Sequence, residues 1–123
     1  MSVVRISPDA LKKILSGRVK EDATCVVKFY SNECHMCQSL SSYYEDISDN
    51  EEYENVHFFA FNVLDYPQIE RVLDFNGVPT ISVIRTKKGK TKPRIRTMPD
   101  PLNPHKKTWY TANEITTFIS REK

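Results

Sequence analysis

Residues 25–37, Cys25-Val26-Val27-Lys28-Phe29-Tyr30-Ser31-Asn32-Glu33-Cys34-His35-Met36-Cys37, run from an apolar strand pattern into two cysteines separated by two residues. Beyond them a helical pattern begins, with Leu40, Tyr44 and Ile47 on the same face as Cys37. A Cys-x-x-Cys between a strand and a helix places one thiol at the helix N-terminus. There, unpaired backbone N–H groups and the helix dipole favour a thiolate. A thiolate backed by a second thiol can attack a disulfide and then release the product by closing its own ring. These residues predict dithiol–disulfide exchange.

The rest of the chain sets the context. At 123 residues it predicts one domain spanning 1–123. No apolar run approaches the roughly 18 residues of a membrane span, so none is expected. Met1-Ser2-Val3-Val4-Arg5 lacks the apolar core of a signal peptide, which predicts a cytoplasmic location. In a reducing compartment a closely spaced cysteine pair is catalytic or metal-binding rather than a structural staple. Zinc wants four ligands, and only Cys34, Cys37, His35, His57, His105 and Cys25 are on offer, with no second Cys-x-x-Cys. Haem attachment would need His after Cys37, where Gln38 stands. No metal is expected, and no cofactor beyond the redox-active Cys34–Cys37 pair itself.

The formal net charge of +2 hides an uneven layout. Residues 1–84 hold 7 Lys and Arg against 13 Asp and Glu, a balance of −6. Residues 85–107 hold 9 against 1, a balance of +8, and residues 108–123 balance at zero. A basic lobe on an acidic body is expected. It reads first as a solvated hairpin, and secondarily as a means of steering an acidic partner; direct binding of nucleic acid is not expected.

Val3–Ile6 predicts an edge strand. Ser7-Pro8-Asp9 opens a helix whose inner stripe is Leu11, Ile14 and Leu15 and whose cap is Gly17. Residues 24–30 predict a central strand, and the helix after Cys34 runs to about Asp49. Val56–Val63 predicts a third strand. Asp65-Tyr66-Pro67-Gln68 looks like a helix start, with Ile69, Val72 and Leu73 inward and Asn76-Gly77 at its end. Thr80–Thr86 and Arg94–Met98 predict strands joined by the turn around Lys88-Gly89-Lys90. The Pro-rich loop 97–108 precedes a capping box, Thr111-Ala112-Asn113-Glu114, and a last helix with Ile115, Phe118 and Ile119 inward. The order βαβαβαββα predicts an α/β sheet with helices on both faces.

Two separated segments now coincide. Phe29 to Cys37 resembles the active-site segment of thioredoxins, and Gly77-Val78-Pro79-Thr80 resembles the segment where that family carries a cis-proline facing the dithiol. The resemblance covers nearly the whole chain. It implies a thioredoxin fold, a mixed sheet of about five strands flanked by four helices. It also implies that Cys34 is the attacking thiolate and Cys37 the more buried resolving thiol. Pro79 would be cis, and the Val78 backbone would pair with substrate.

Four departures from the family pattern stand out. His35-Met36 replaces the usual Gly-Pro between the cysteines, and Glu33 replaces the usual Trp before them. Lys28 stands where the family usually has a buried Asp beneath the resolving thiol. The stretch 97–108 is longer than the usual turn and is a candidate wall of the substrate groove. A protonated His35 would favour a neighbouring thiolate, whereas anionic Glu33 would disfavour one. Lys28 as a cation would favour one too, unless it snorkels away, but it cannot serve as the carboxylate relay, and the missing Asp implies slower deprotonation of Cys37 and sluggish exchange. These departures would suit a phage-encoded member.

The resemblance thus implies an enzyme that reduces or exchanges protein disulfides as a monomer. Its partners would be disulfide-containing proteins and a thioredoxin reductase or glutathione-type electron donor. The alternative is an accessory subunit, for example of a polymerase, in which the fold matters and the thiols are dispensable.

Overall fold

The computed structural model describes residues 3–123. The reading of Met1 and Ser2 lies outside the described residues. Five strands form one sheet: β1 (Val3–Arg5), β2 (Ala23–Tyr30), β3 (Val56–Asn62), β4 (Thr80–Thr86) and β5 (Arg94–Thr97). Their spatial order is β1-β3-β2-β4-β5. β1, β3 and β2 run parallel, and β4 and β5 add antiparallel to β2. Four α-helices flank it: α1 (Pro8–Leu15), α2 (His35–Ser48), α3 (Ile69–Val72) and α4 (Ala112–Glu122). The expected α/β architecture holds.

β2 is central because both of its faces are apolar, as a strand covered on both sides must be. Val26 packs with Leu40 and Tyr44 of α2 and with Ile115 of α4. Val27 and Phe29 point the other way, into a second cluster with Leu11 of α1 and Ile69 of α3. The sheet is thus a partition between two cores. Tyr44 ties α2 down at its middle: its hydroxyl donates to the carbonyl of Phe59 at 2.6 Å, with that of Val26 at 2.9 Å as second acceptor.

Helix starts follow the sequence signals. The Ser7 hydroxyl accepts from the Ala10 N–H, with Pro8 in the first turn. At α4, Thr111 Oγ1 accepts from the Glu114 N–H at 3.1 Å, and Glu114 Oε1 accepts from the Thr111 N–H at 2.9 Å. Ile115, Phe118 and Ile119 are buried beneath that cap. Thr111→Ala should cost about 1 kcal/mol, read as a lower urea midpoint with an unchanged denaturant slope.

Several boundaries differ from expectation. The helix predicted from Asp65 to Asn76-Gly77 is broken in two. The Asn62 side chain accepts from the Leu64 N–H and caps a short 3-10 turn, Val63–Asp65, which also ends β3 one residue early. Tyr66 is then extended at φ −159° and ψ 80°, as the residue before a proline tends to be. Helix α3 begins only at Ile69 and lasts one turn, because Asp74 adopts a left-handed φ of 56°. In so short a helix Val72 faces solvent, 54% exposed, rather than joining the inner stripe. Helix α1 is capped by Ser16, and Gly17 follows it at φ +73°.

The basic segment is the β4–β5 hairpin. Arg85, Lys87, Lys90, Lys92 and Arg94 line one shallow concavity. Arg94 is bonded to Glu122, at 2.8 Å. The hairpin lies at the far end of the sheet from the cysteines, since Arg85 pairs with Thr24 while Thr80 pairs with Phe29, next to the end of β2. Among the described residues, no helix is long and apolar enough to cross a membrane.

Candidate active site

Strand β2 ends at Tyr30, and the chain turns through Ser31–Glu33, with the Cys34 N–H donating to the Ser31 carbonyl at 3.3 Å. Cys34 is then the N-cap of α2, with extended φ −89° and ψ 100°. Its carbonyl accepts the first helical bond, from the Gln38 N–H at 3.2 Å. Its sulfur does what a Ser or Asp oxygen does at most caps: Sγ accepts from the Cys37 N–H at 3.1 Å. Cys34 and Cys37 are joined by a disulfide, with their Cα atoms 5.2 Å apart. Cys34 is half-buried and Cys37 is 2% exposed. In the dithiol form, negative charge on the Cys34 sulfur would meet that N–H and the positive end of a 14-residue helix.

Glu33 and His35 are both exposed on either side of Cys34, and Met36 is half-buried. The antiparallel register of Phe29 with Thr80 sets Pro79 level with Tyr30, at the same end of the sheet as the cysteines. Pro79 is buried, Val78 half-buried, and the peptide bond between them is cis. Gly77 leads into this segment at φ +93°, and its carbonyl accepts from the Thr80 hydroxyl at 2.7 Å. The start of the long loop comes close by. Thr97, Met98, Pro99 and Asp100 share a small cavity with Asn76 and Thr80. Met98 to Leu102 also line a second cavity with Phe118 and Arg121 of α4, and Leu102 is 97% exposed. Trp109 and Tyr110 serve the packing: Tyr110 is 1% exposed and joins the core of α2 and α4, with Trp109 packed against it.

Lys28 does not snorkel outward. It is 6% exposed, and its Nζ donates to Ser41 Oγ at 2.9 Å. Ser41 Oγ in turn donates to the carbonyl of Cys37 at 3.1 Å. The ammonium lies 5.3 Å from the ring centre of Tyr44 and 5.6 Å from that of Tyr30. It borders a cavity of about 340 Å³ that Cys37, Ser41, Tyr44 and Glu45 also line. Burial pulls the Lys28 pKa below the ordinary lysine value, and the Glu45 carboxylate opposes that shift. Ser41 and Glu45 escaped the sequence reading. Their signal was present, at four and eight residues beyond Cys37 on one helical face.

The remaining candidates are elsewhere. Cys25 projects into the core on the α1 side, where burial pushes its thiol up to about 11. His57 is exposed and stacks on Phe59 at 6.2 Å. His105 accepts from the Lys107 and Thr108 N–H groups through Nδ1, which holds the loop. Among the described residues, no three His, Cys, Asp or Glu side chains converge as metal ligands would.

Comparisons with known proteins agree with this arrangement. A family profile described as Thioredoxin matches residues 3–100. No curated protein sequence matches the chain. Among solved structures, chloroplastic thioredoxin z superposes with a TM-score of 0.67 at 23% identity, covering 98% of this chain and 94% of that one. The Malassezia sympodialis thioredoxin Mala s 13 gives 0.68 at 21% identity, covering 98% and 93%. The Trx4 domain of ERdj5 gives 0.72 at 17% identity, covering 99% and 96%. At these identities the likeness is one of fold.

Proposed function

The chain belongs to the thioredoxin family, and from that membership we propose that it reduces or exchanges disulfides of other proteins through Cys34 and Cys37. The observation that carries this reading is the Cys34 sulfur held as the N-cap of α2, with Cys37 one turn behind it. A substrate disulfide lies against Val78-Pro79. The Cys34 thiolate attacks one of its sulfurs, and the other leaves as a thiolate. Cys37 then loses its proton and attacks Cys34, which releases the second substrate sulfur and closes the Cys34–Cys37 disulfide. Two electrons pass to the substrate. A flavin-dependent thioredoxin reductase or a glutathione-type donor returns them. The setting is the cytoplasm, the protein works as a monomer, and no metal or organic cofactor takes part.

The test is reduction of insulin disulfides with dithiothreitol as donor, together with the Cys34–Cys37 reduction potential from glutathione buffers. Catalysed reduction with a potential near about −270 mV supports a reductant, and one above about −200 mV an oxidant or isomerase. Absence of a reversible pair would sink the redox reading. The second reading, an accessory subunit, is favoured by the preformed cationic concavity at the far end of the sheet. A Cys34→Ser, Cys37→Ser double variant that keeps its biological activity would select it.

A further inference from the structure

The alternation of β2 aims Lys28 at helix α2, on the same side as Val26, and opposite it α2 presents Cys37, Ser41, Tyr44 and Glu45. The strand neighbours of Lys28 are Ala60 and Ile81. Alanine at the first of these positions is small, and the cavity opens beside it. An ammonium has three donors. Among the described residues one is used, on Ser41. Taking a charge out of water is costly unless something negative answers it. In the disulfide form the answering group is Glu45, whose carboxylate acts on Lys28 through space without closing an ion pair. The aromatic faces of Tyr30 and Tyr44 add to it. Arg5 borders the same cavity but is bonded to Asp65 at 3.0 Å.

We infer that Lys28 is a positioning residue for the resolving step: its buried ammonium, held by Ser41 on the cavity that Cys37 borders, stabilises the Cys37 thiolate. This rests on the proposed dithiol exchange and adds to it the group that governs release. In the mixed disulfide the Cys37 sulfur is a thiol, and it must lose its proton before it can attack Cys34. The proton leaves to solvent through the open cavity. The new anion forms in a site where burial alone would oppose it, and the ammonium offsets that opposition. Attack then makes the Cys34–Cys37 bond, breaks the bond from Cys34 to the substrate, and sends the electron pair out on the substrate sulfur, which takes up a proton. Ser41 bonds both the ammonium and the Cys37 carbonyl, so it keeps the cation in register with the first turn of α2.

The charged and titratable groups around the ammonium are Glu45 and Tyr44 from α2, Tyr30 from β2 and Arg5 from β1, besides Cys37 itself. Lys28→Met keeps an unbranched stem, one heavy atom shorter, and removes the charge. With the charge gone, the Cys37 thiol should titrate about one pH unit higher, and resolution near pH 7 should slow about tenfold. The experiment has two parts. The first is NMR titration of Cys37 in a Cys34→Ser background, with and without Lys28→Met. The second is the pH profile of single-turnover substrate release by stopped flow. Lys28→Arg should restore most of the rate, which lost packing alone would not explain. Ser41→Ala, which frees the ammonium without removing it, should shift both profiles in the same direction by less, and it keeps the test open if Lys28→Met folds poorly. An unchanged Cys37 titration and an unchanged pH profile in folded variants would overturn the inference, as would faster release. An inactive parent protein would instead overturn the proposed function.

Discussion

Cys37→Ser should accumulate as a covalent complex with its substrate, with turnover lower by about three orders of magnitude or more. The buried sulfur is one helical turn from Cys34, and its Cα is 5.2 Å away. A thiol held at that range acts at an effective concentration far above that of any millimolar thiol in solution. Without it, the bond between Cys34 and the substrate waits for an external reductant. Serine keeps the size of the side chain but cannot complete the exchange. The trapped adduct would be seen on a non-reducing gel and by intact mass, and dithiothreitol would dissolve it. Cys34→Ser should give neither adduct nor turnover. Undiminished turnover by Cys37→Ser would remove Cys37 from the resolving role.

The second large effect concerns stability. Gly17→Ala should destabilise the domain by about 2–4 kcal/mol. Gly17 holds φ +73°, and a Cβ there would overlap the Lys90 carbonyl oxygen and stand 2.9 Å from its carbon. Neither atom belongs to a flexible side chain, so the end of α1 or the basic hairpin must move. Gly89→Ala is the matched control. It has a φ of +81°, but nothing lies within 4 Å of the added carbon, so only the backbone term of about 1–2 kcal/mol applies. Chemical denaturation of the two variants separates the close approach from the conformational preference. Equal losses would show that the contact with Lys90 carries no energy.

Much of the fold could be read in local signals. Ser7-Pro8, Thr111 with Glu114, and the apolar run of β2 each state one structure through short-range chemistry, and each formed as expected. The segment 63–76 misled because its apolar spacing matches a helix while its breaks arise from single residues. Asn62 redirects its own backbone, Tyr66 precedes a proline, and Asp74 turns left-handed. Periodicity does not register such events. The surroundings of Lys28 were hidden for another reason. A lysine in a strand has two opposite fates, snorkelling or burial, and the choice depends on partners 13 to 17 residues away on another element. The course of the loop was likewise set by distant partners: Met98–Asp100 line one cavity with Asn76 and Thr80 and another with Phe118 and Arg121 of α4.

The partition made by the sheet also decides which sulfurs can ever meet. Three cysteines permit three pairings, and two of them use Cys25. Five residue steps along β2 separate Cys25 from Tyr30, which at about 3.3 Å per step is already roughly 17 Å. A disulfide tolerates at most about 7 Å between Cα atoms. Cys25 also faces the core of α1 and α3, with the backbone of β2 between it and the other two. Either mispaired isomer would therefore have to unravel the strand that pairs with both β3 and β4. Once that strand is seated, combinatorics leaves a single isomer, and the architecture itself proofreads which sulfurs pair.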